Sequence, residues 1–227
     1  MQILILTMSA KRHNFCVAGI DLEHKRLVRL VSDNENIMFA LSQDMILYSN
    51  KKPCQTLDVV DVKVIEERPL AIQKENLLID TKQPMTYIRK GNLNEIVEFI
   101  SNDSYIFGNT FQYINKITAK QFGCSIKLYE VNNIKLVETT NNQGNVRKKV
   151  DFEYKGHEYT DISMTDCDFF HSPLGEIART AYIVVSIPED DFNGHYYKFV
   201  SKIFVKEWVW CIRYIRLAIL NTQLNIL

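Results

Sequence analysis

Strand-length apolar segments broken by short turns fill residues 150–205, and that rhythm sets the fold class before any motif is considered. Val150, Phe152 and Tyr154 alternate with Asp151, Glu153 and Lys155, the period of a strand with one buried face. Lys155-Gly156-His157 predicts a tight turn, with Glu158 to Met164 returning as the hairpin partner. Ala181 to Ile187 and Tyr196 to Val205 are two more β-branched and aromatic runs, separated by the turn signal Asp190-Asp191-Phe192-Asn193-Gly194. This stretch predicts an antiparallel β domain and does not say what the domain binds.

The remainder repeats the theme. Residues 2–7, 14–20 and 26–32 predict three strands, and Asp33-Asn34-Glu35-Asn36 ends the third because Asp and Asn bond their own backbone in turns. Residues 37–56 show weak periodicity and are expected to be irregular, whereas 57–65 alternates, with Val60, Val62 and Val64 on one face. Between Pro69 and Pro84 a loop is expected, with 76–80 as one ordered piece. Asn92 and Glu95 have capping-box spacing for a helix running to about Ser101. A second helix is predicted over Thr110 to Phe122, with Phe111, Ile114 and Ile117 inward and Gly123 as its stop. From Ser125 the strand pattern resumes at 125–131, 134–140, 146–155, 158–164, 181–187 and 196–205, with a turn over Asn141 to Asn145. The reading is mainly β: a small barrel over 1–68, a loop and helical connector over 69–124, a second barrel over 125–205, and an amphipathic extension, helix or strand, over 206–227.

Composition narrows the class only a little. The chain has 227 residues, 46% hydrophobic, enough for a packed core in one large or two small domains. Lys plus Arg and Asp plus Glu both total 27, so any nucleic-acid surface must be a local patch. Five dispersed cysteines without a CxxC pair argue against a disulfide framework or a zinc knuckle, and fit reduced thiols in a cytoplasmic protein. The first residues read as a buried strand, since they lack a basic n-region and a small-residue cleavage site. Trp208 to Leu220 is apolar, but Lys206, Glu207, Arg213 and Arg216 interrupt it short of the ~20 residues a membrane span needs.

Ile3-Leu4-Ile5-Leu6-Thr7, Cys16-Val17-Ala18-Gly19-Ile20-Asp21, Arg29-Leu30-Val31-Ser32 and Leu57-Asp58-Val59-Val60 together resemble the start of bacterial dual OB-domain proteins. Ser163-Met164-Thr165-Asp166-Cys167-Asp168, Val185-Ser186-Ile187 and Gly194-His195-Tyr196-Tyr197-Lys198 resemble that family's second half, so the likeness spans most of 1–205. The resemblance implies two OB-like barrels and a setting in bacterial conflict or antiphage defence. Where the family pattern has a longer Ser-Leu-Gly run, this chain has Ser186-Ile187-Pro188, and the tail after Val205 lies outside the likeness.

OB barrels bind single strands by stacking bases on aromatics, at about 1–3 kcal/mol per base, and by tracking phosphates with Lys and Arg. Candidates for that work are Lys11, Arg12 and Arg29 in the first half, and Lys127, Tyr129, Lys148, Tyr154, Tyr159 and Lys198 in the second. The competing reading is structural, because strand tyrosines usually pack and scattered lysines usually solvate a face. Asp166, Asp168 and His171 form the most metal-like cluster, although Asp-x-Asp at a strand end is also ordinary turn chemistry. No G-x-S-x-G elbow, P-loop, G-x-G-x-x-G or H-E-x-x-H occurs, so neither an enzyme nor a cofactor is called for. In the tail a helix would set Trp208, Ile212 and Ile215 on one side as a partner or self-association surface.

Three functions remain open. The first is a non-enzymatic OB-fold module for single-stranded nucleic acid or a nucleotide in bacterial defence. The second is an adaptor docking proteins through its barrels and tail. The third and least favoured is a metal-dependent enzyme centred on Asp166 and Asp168.

Overall fold

The computed structural model describes residues 1–11, 13–140 and 144–208, and both halves of the chain use one strand-pairing plan. In the first half β1 (Gln2–Lys11), β2 (Asn14–Asp21) and β3 (Arg26–Val31) form an antiparallel meander. Then come β4 (Asp58–Asp61), β5 (Val64–Glu67), β6 (Asn76–Ile79) and β7 (Thr86–Lys90), giving a curled seven-stranded sheet in the order β5-β6-β3-β2-β1-β4-β7. β3 pairs β6 in parallel, β5 pairs β6, and β4 pairs β1. Since only Val62 and Lys63 separate β4 from β5, one stretch of chain meets both ends of the curl.

The second half follows as β8 (Tyr113–Asn115), α1 (Lys116–Phe122), β9 (Ile126–Thr140), β10 (Val146–Tyr154), β11 (His157–Met164), β12 (Gly175–Ser186), β13 (His195–Tyr197) and β14 (Phe199–Trp208). Strands β9, β10 and β11 are again a meander, β11 pairs β14 in parallel, and β12 bridges β14 to β9. The result is a closed five-stranded barrel, β10-β11-β14-β12-β9, of OB-like form. The duplication that no sequence repeat announces is thus present in the pairing. β8 and β13 form a separate two-stranded ribbon beside the barrel.

Differences from expectation have local causes. The first sheet extends past residue 68 because Asn76-Leu77-Leu78-Ile79 is buried along its whole length, and because β7 pairs β4. The Asn92–Glu95 capping box forms, but the turns after it are a 3-10 helix, Leu93–Phe99. The second helix begins only at Lys116, where the Asn115 side chain caps the Thr118 N–H at 2.9 Å, and ends at Gly123 with φ 65°. Phe111 and Ile117, expected inward, are 66% and 73% exposed, and only Ile114 of that face is buried. The two strands expected over 125–140 are one, kinked where Asn133 takes a left-handed φ of 53°. Arg12, the turn residues Asn141, Asn142 and Gln143, and the tail positions Ile212 and Ile215 lie outside the described residues, and Trp208 is placed only as the end of β14.

Packing explains why β1 is apolar at consecutive positions. Ile3 and Ile5 enter the first barrel's own core with Val17 and Val28. Leu4 and Leu6, on the opposite face, join Ala18, Ile20 and Val59 against Ile126, Leu128, Tyr182, Val184 and Phe204 of the second barrel. Polar bonds cross the same seam: Thr7 Oγ1 donates to the Ser201 carbonyl at 2.8 Å, and the Ala10 N–H to the Thr165 carbonyl at 3.2 Å. Among the described residues no helix is long and apolar enough to cross a membrane.

At Gly19 in β2 an added Cβ would sit 2.4 Å from the Leu4 carbonyl oxygen and 2.7 Å from Ile3 Cγ2. Both contacts belong to the strand shared by core and seam. Gly19→Ala is expected to destabilise the fold by about 1–3 kcal/mol, the usual cost of overpacking, read as a lower urea midpoint by circular dichroism.

Candidate ligand-binding cleft

The residues expected to stack and to bind phosphate in the second half are largely occupied by the chain itself. Tyr129, Tyr154 and Tyr159 lie on the inward positions of β9, β10 and β11 and are buried, so they offer no free ring face to a base. A buried phenol needs a polar partner, and the connector supplies it. The Ile106 N–H donates to the Tyr159 hydroxyl at 2.9 Å and the Phe107 N–H to the Tyr129 hydroxyl at 3.3 Å. The Tyr154 hydroxyl donates to the Asp103 carbonyl at 2.6 Å. Burial pushes all three phenols up in pKa, keeping them protonated.

The cations fare similarly. Lys127 pairs with Asp103 at 2.6 Å. Lys148 donates to the Phe169 and Ser172 carbonyls. Lys198 is buried, and its ammonium donates to the Asn109 carbonyl at 2.7 Å and to Asn109 Oδ1 at 2.8 Å. Residues 101–107 therefore engage four of the groups expected to bind nucleic acid, Lys127, Tyr129, Tyr154 and Tyr159. The metal-like cluster is also matched internally: Lys202 Nζ reaches Asp166 Oδ1 at 3.2 Å and pairs with Asp168, while Asp166 Oδ2 accepts the Ile203 N–H at 2.9 Å. Among the described residues no group of three or more His, Cys, Asp or Glu is placed to hold a metal.

Lys11 and Arg29 meet elsewhere, in a cleft of about 710 Å³ between the halves. One wall comes from β2, β3 and the loop around Met38 and Phe39; the other comes from residues 188–199. Met38 and Phe39 take left-handed φ values of 53° and 59° in succession. Such conformations cost of order 1–3 kcal/mol each and persist only where the surroundings impose them. Here Ser32 imposes them, its N–H bonded to the Phe39 carbonyl at 2.9 Å and its hydroxyl to the Ala40 carbonyl at 2.7 Å. Lys11 Nζ donates to the Met38 carbonyl at 3.0 Å, and Arg68 lies 4.7 Å from the Phe39 ring centre.

The opposite wall is aromatic. Side chains two apart on a strand share a face, so His195, Tyr197 and Phe199 all line the cleft while Tyr196 and Lys198 point away and are buried. Cross-strand pairing sets Tyr113 of β8 opposite Tyr197, with ring centres 5.5 Å apart, and the Tyr113 ring is 4.1 Å from that of His195. Phe111 extends this row at 6.4 Å from Tyr113, and Phe192 extends it at 6.3 Å from Tyr197; both are 66% exposed. The sequence signal for this row is the period-two spacing of Phe111 and Tyr113 and of His195, Tyr197 and Phe199. It is masked where Phe192 sits within a turn signal and Phe111 within a helical pattern.

Among the residues that line the cleft are buried polar atoms with no hydrogen-bond partner in the protein. Arg29 is 6% exposed, and its Nη2 donates to Ser125 Oγ at 2.9 Å while its Nε, 3.9 Å from Glu75, has no acceptor. Asn76 is 2% exposed and its Oδ1 has no donor; His195 Nδ1 is likewise unpaired. A buried group left unpaired costs about 1–3 kcal/mol, and three residues that line the cleft, Arg29, Asn76 and His195, each carry such an atom. The charges are mixed: Glu35, Glu189, Asp190 and Asp191 line the cleft against Lys11 and Arg29. Glu189 is already engaged by the Ile72 and Gln73 N–H groups, both at 3.0 Å.

The model of the family described as a dual OB-containing domain matches residues 1–203. Comparison with curated proteins and with solved structures finds no match.

Burial lowers the Lys198 ammonium from its usual 10.5 to about 7. Between those two values the unfolded chain binds a proton that the folded protein lacks, so stability gains from this residue as pH rises from about 7 to 10.5 and loses as it falls. Urea titrations at both ends of that window are expected to show a larger gain for the wild type than for Lys198→Met. Parallel behaviour of the two proteins would mean that Asn109 holds the amine charged.

Proposed function

Because the chain belongs to the dual OB-containing domain family, we propose that it is a non-enzymatic OB-fold binding protein whose cleft takes a nucleobase, presented by a single strand or by a nucleotide. The observation that carries this reading is that one cleft is lined by the aromatic His195, Tyr197 and Phe199 together with Arg29 and Asn76, whose Nε and Oδ1 have no hydrogen-bond partner in the protein. A flat heteroaromatic ring with a donor and an acceptor on its edge matches both walls at once. The carboxylates on the cleft disfavour a polyphosphate within it, so the base enters and its phosphates stay outside. The defence setting implied by the family likeness is the context in which such a ligand would be met.

A protein-docking adaptor is the second reading, favoured by the exposure of Phe111 and Ile117 beside the ribbon. The two readings separate in one titration. Labelled mixed-sequence single-stranded DNA, RNA and a labelled nucleotide are followed by fluorescence anisotropy at two salt concentrations. Binding is expected, and Tyr197→Ala should weaken it by the worth of one stack, about 1–3 kcal/mol or roughly 5- to 150-fold in affinity. Absence of binding to all three probes at low salt would sink the nucleobase reading and leave the adaptor.

A further inference from the structure

We infer that the ligand is a single-stranded polynucleotide rather than a free nucleotide, held by its base in the cleft and by an adjoining phosphate in a separate basic groove beyond Phe199. This rests on the nucleobase reading above and adds a second contact to it. Phe199, the first residue of β14, lines both the cleft and a groove of about 350 Å³. That groove is lined by Arg147, Lys148 and Lys149 of β10 together with Ser163, Thr165 and Phe170, and its lining includes no carboxylate. The cleft on the other side of the same ring has four carboxylates against two cations.

The neutral sum of the chain is therefore split locally into an acidic space and a basic one that share Phe199 in their linings. A base is indifferent to the first and a phosphate is attracted to the second, because phosphate binding is driven by unneutralised Lys and Arg. The cations are placed for this. Lys149 Nζ bonds the neutral Ser163 hydroxyl at 2.9 Å, and exposed Arg147 has no ion pair among the described residues. Lys148 is turned onto the Phe169 and Ser172 carbonyls and orders the groove's edge. Both barrels hold the floor in place: the Ala10 N–H donates to the Thr165 carbonyl, and the Thr165 N–H donates to the Val200 carbonyl. A mononucleotide offers one phosphate beside the base in the acidic cleft, whereas a strand of two or more carries its next phosphate past Phe199.

The test uses mixed-sequence DNA and RNA pentanucleotides, titrated across a salt series against wild type, Arg147→Gln/Lys149→Gln and Tyr197→Ala, with folding verified by circular dichroism. For the strand that binds, the double variant is expected to lose about tenfold in affinity and to flatten the slope of log K against log salt by about 0.7, the worth of one phosphate contact on a single strand. Tyr197→Ala should lose affinity at unchanged slope. A double variant with wild-type affinity and slope, alongside a weakened Tyr197→Ala, would overturn the groove assignment and leave the base site standing. Failure of the wild type to bind either pentamer at low salt would overturn both.

Discussion

The apolar seam between the barrels is the constraint on which the other features depend. A strand that faces a core on one side and solvent on the other alternates, whereas one buried on both sides reads as a continuous apolar run. Residues 3–6 and 181–185 are such runs, and both are seam strands. In β1, Ile3 and Ile5 face inward while Leu4 and Leu6 face the second barrel. In β12, Ala181, Ile183 and Val185 face inward while Tyr182 and Val184 face the first. Burying each such side chain contributes about 1.5–3 kcal/mol, and the contribution is available only with the barrels together. The seam fixes their relative placement, and with it the cleft at its edge.

That logic also explains which parts of the structure were legible in the sequence. Period two identifies strands, and most barrel strands overlap the runs that alternation marks, although 57–65 is split into β4 and β5 and the two runs over 125–140 are one strand. β6 showed only as an ordered piece over 76–80 and β7 not at all, because four or five residues are too few to show a period; both exist because β3 and β4 offer edges to pair. The capping box was readable because its chemistry is confined to Asn92 and Glu95. The site was much less legible. Alternation says that Tyr154 and Tyr159 share faces with other residues, but not which face is inside a closed barrel. Their rings suggested a stacking surface, but in the structure the rings are buried and the hydroxyls bond backbone groups of residues 103 and 106.

Charge gave the same kind of false neutrality. Equal totals of acids and bases describe the whole surface and carry no information about its division. Arg147, Lys148 and Lys149 are adjacent in sequence and their clustering was visible. Glu35 and Asp190 are far apart in sequence, and only the seam brings them to one cleft. Residues contributed by both halves are invisible to any reading that takes the chain in windows, and the cleft is built almost entirely from such residues.

Arg29 shows why a cleft in this position suits a ligand. Its Nη2 is tied to Ser125, and the Glu75 carboxylate that lies 3.9 Å from its Nε also accepts the Ser125 N–H at 3.2 Å. These three residues join β3 and the approach to β6 to the start of β9, so the guanidinium is part of the seam as well as a wall of the cleft. Its orientation is fixed by contacts that exist without ligand, and Asn76, at the first position of β6, is fixed by the parallel pairing of β3 with β6. A ligand that completes their hydrogen bonds does not have to order them, and ordering flexible side chains is a large part of what association costs, about 0.5–1.5 kcal/mol for each. The cost of holding a buried donor and acceptor unpaired is met by the apolar burial of the seam. The interface that makes the two barrels one body is therefore also what shapes the cleft.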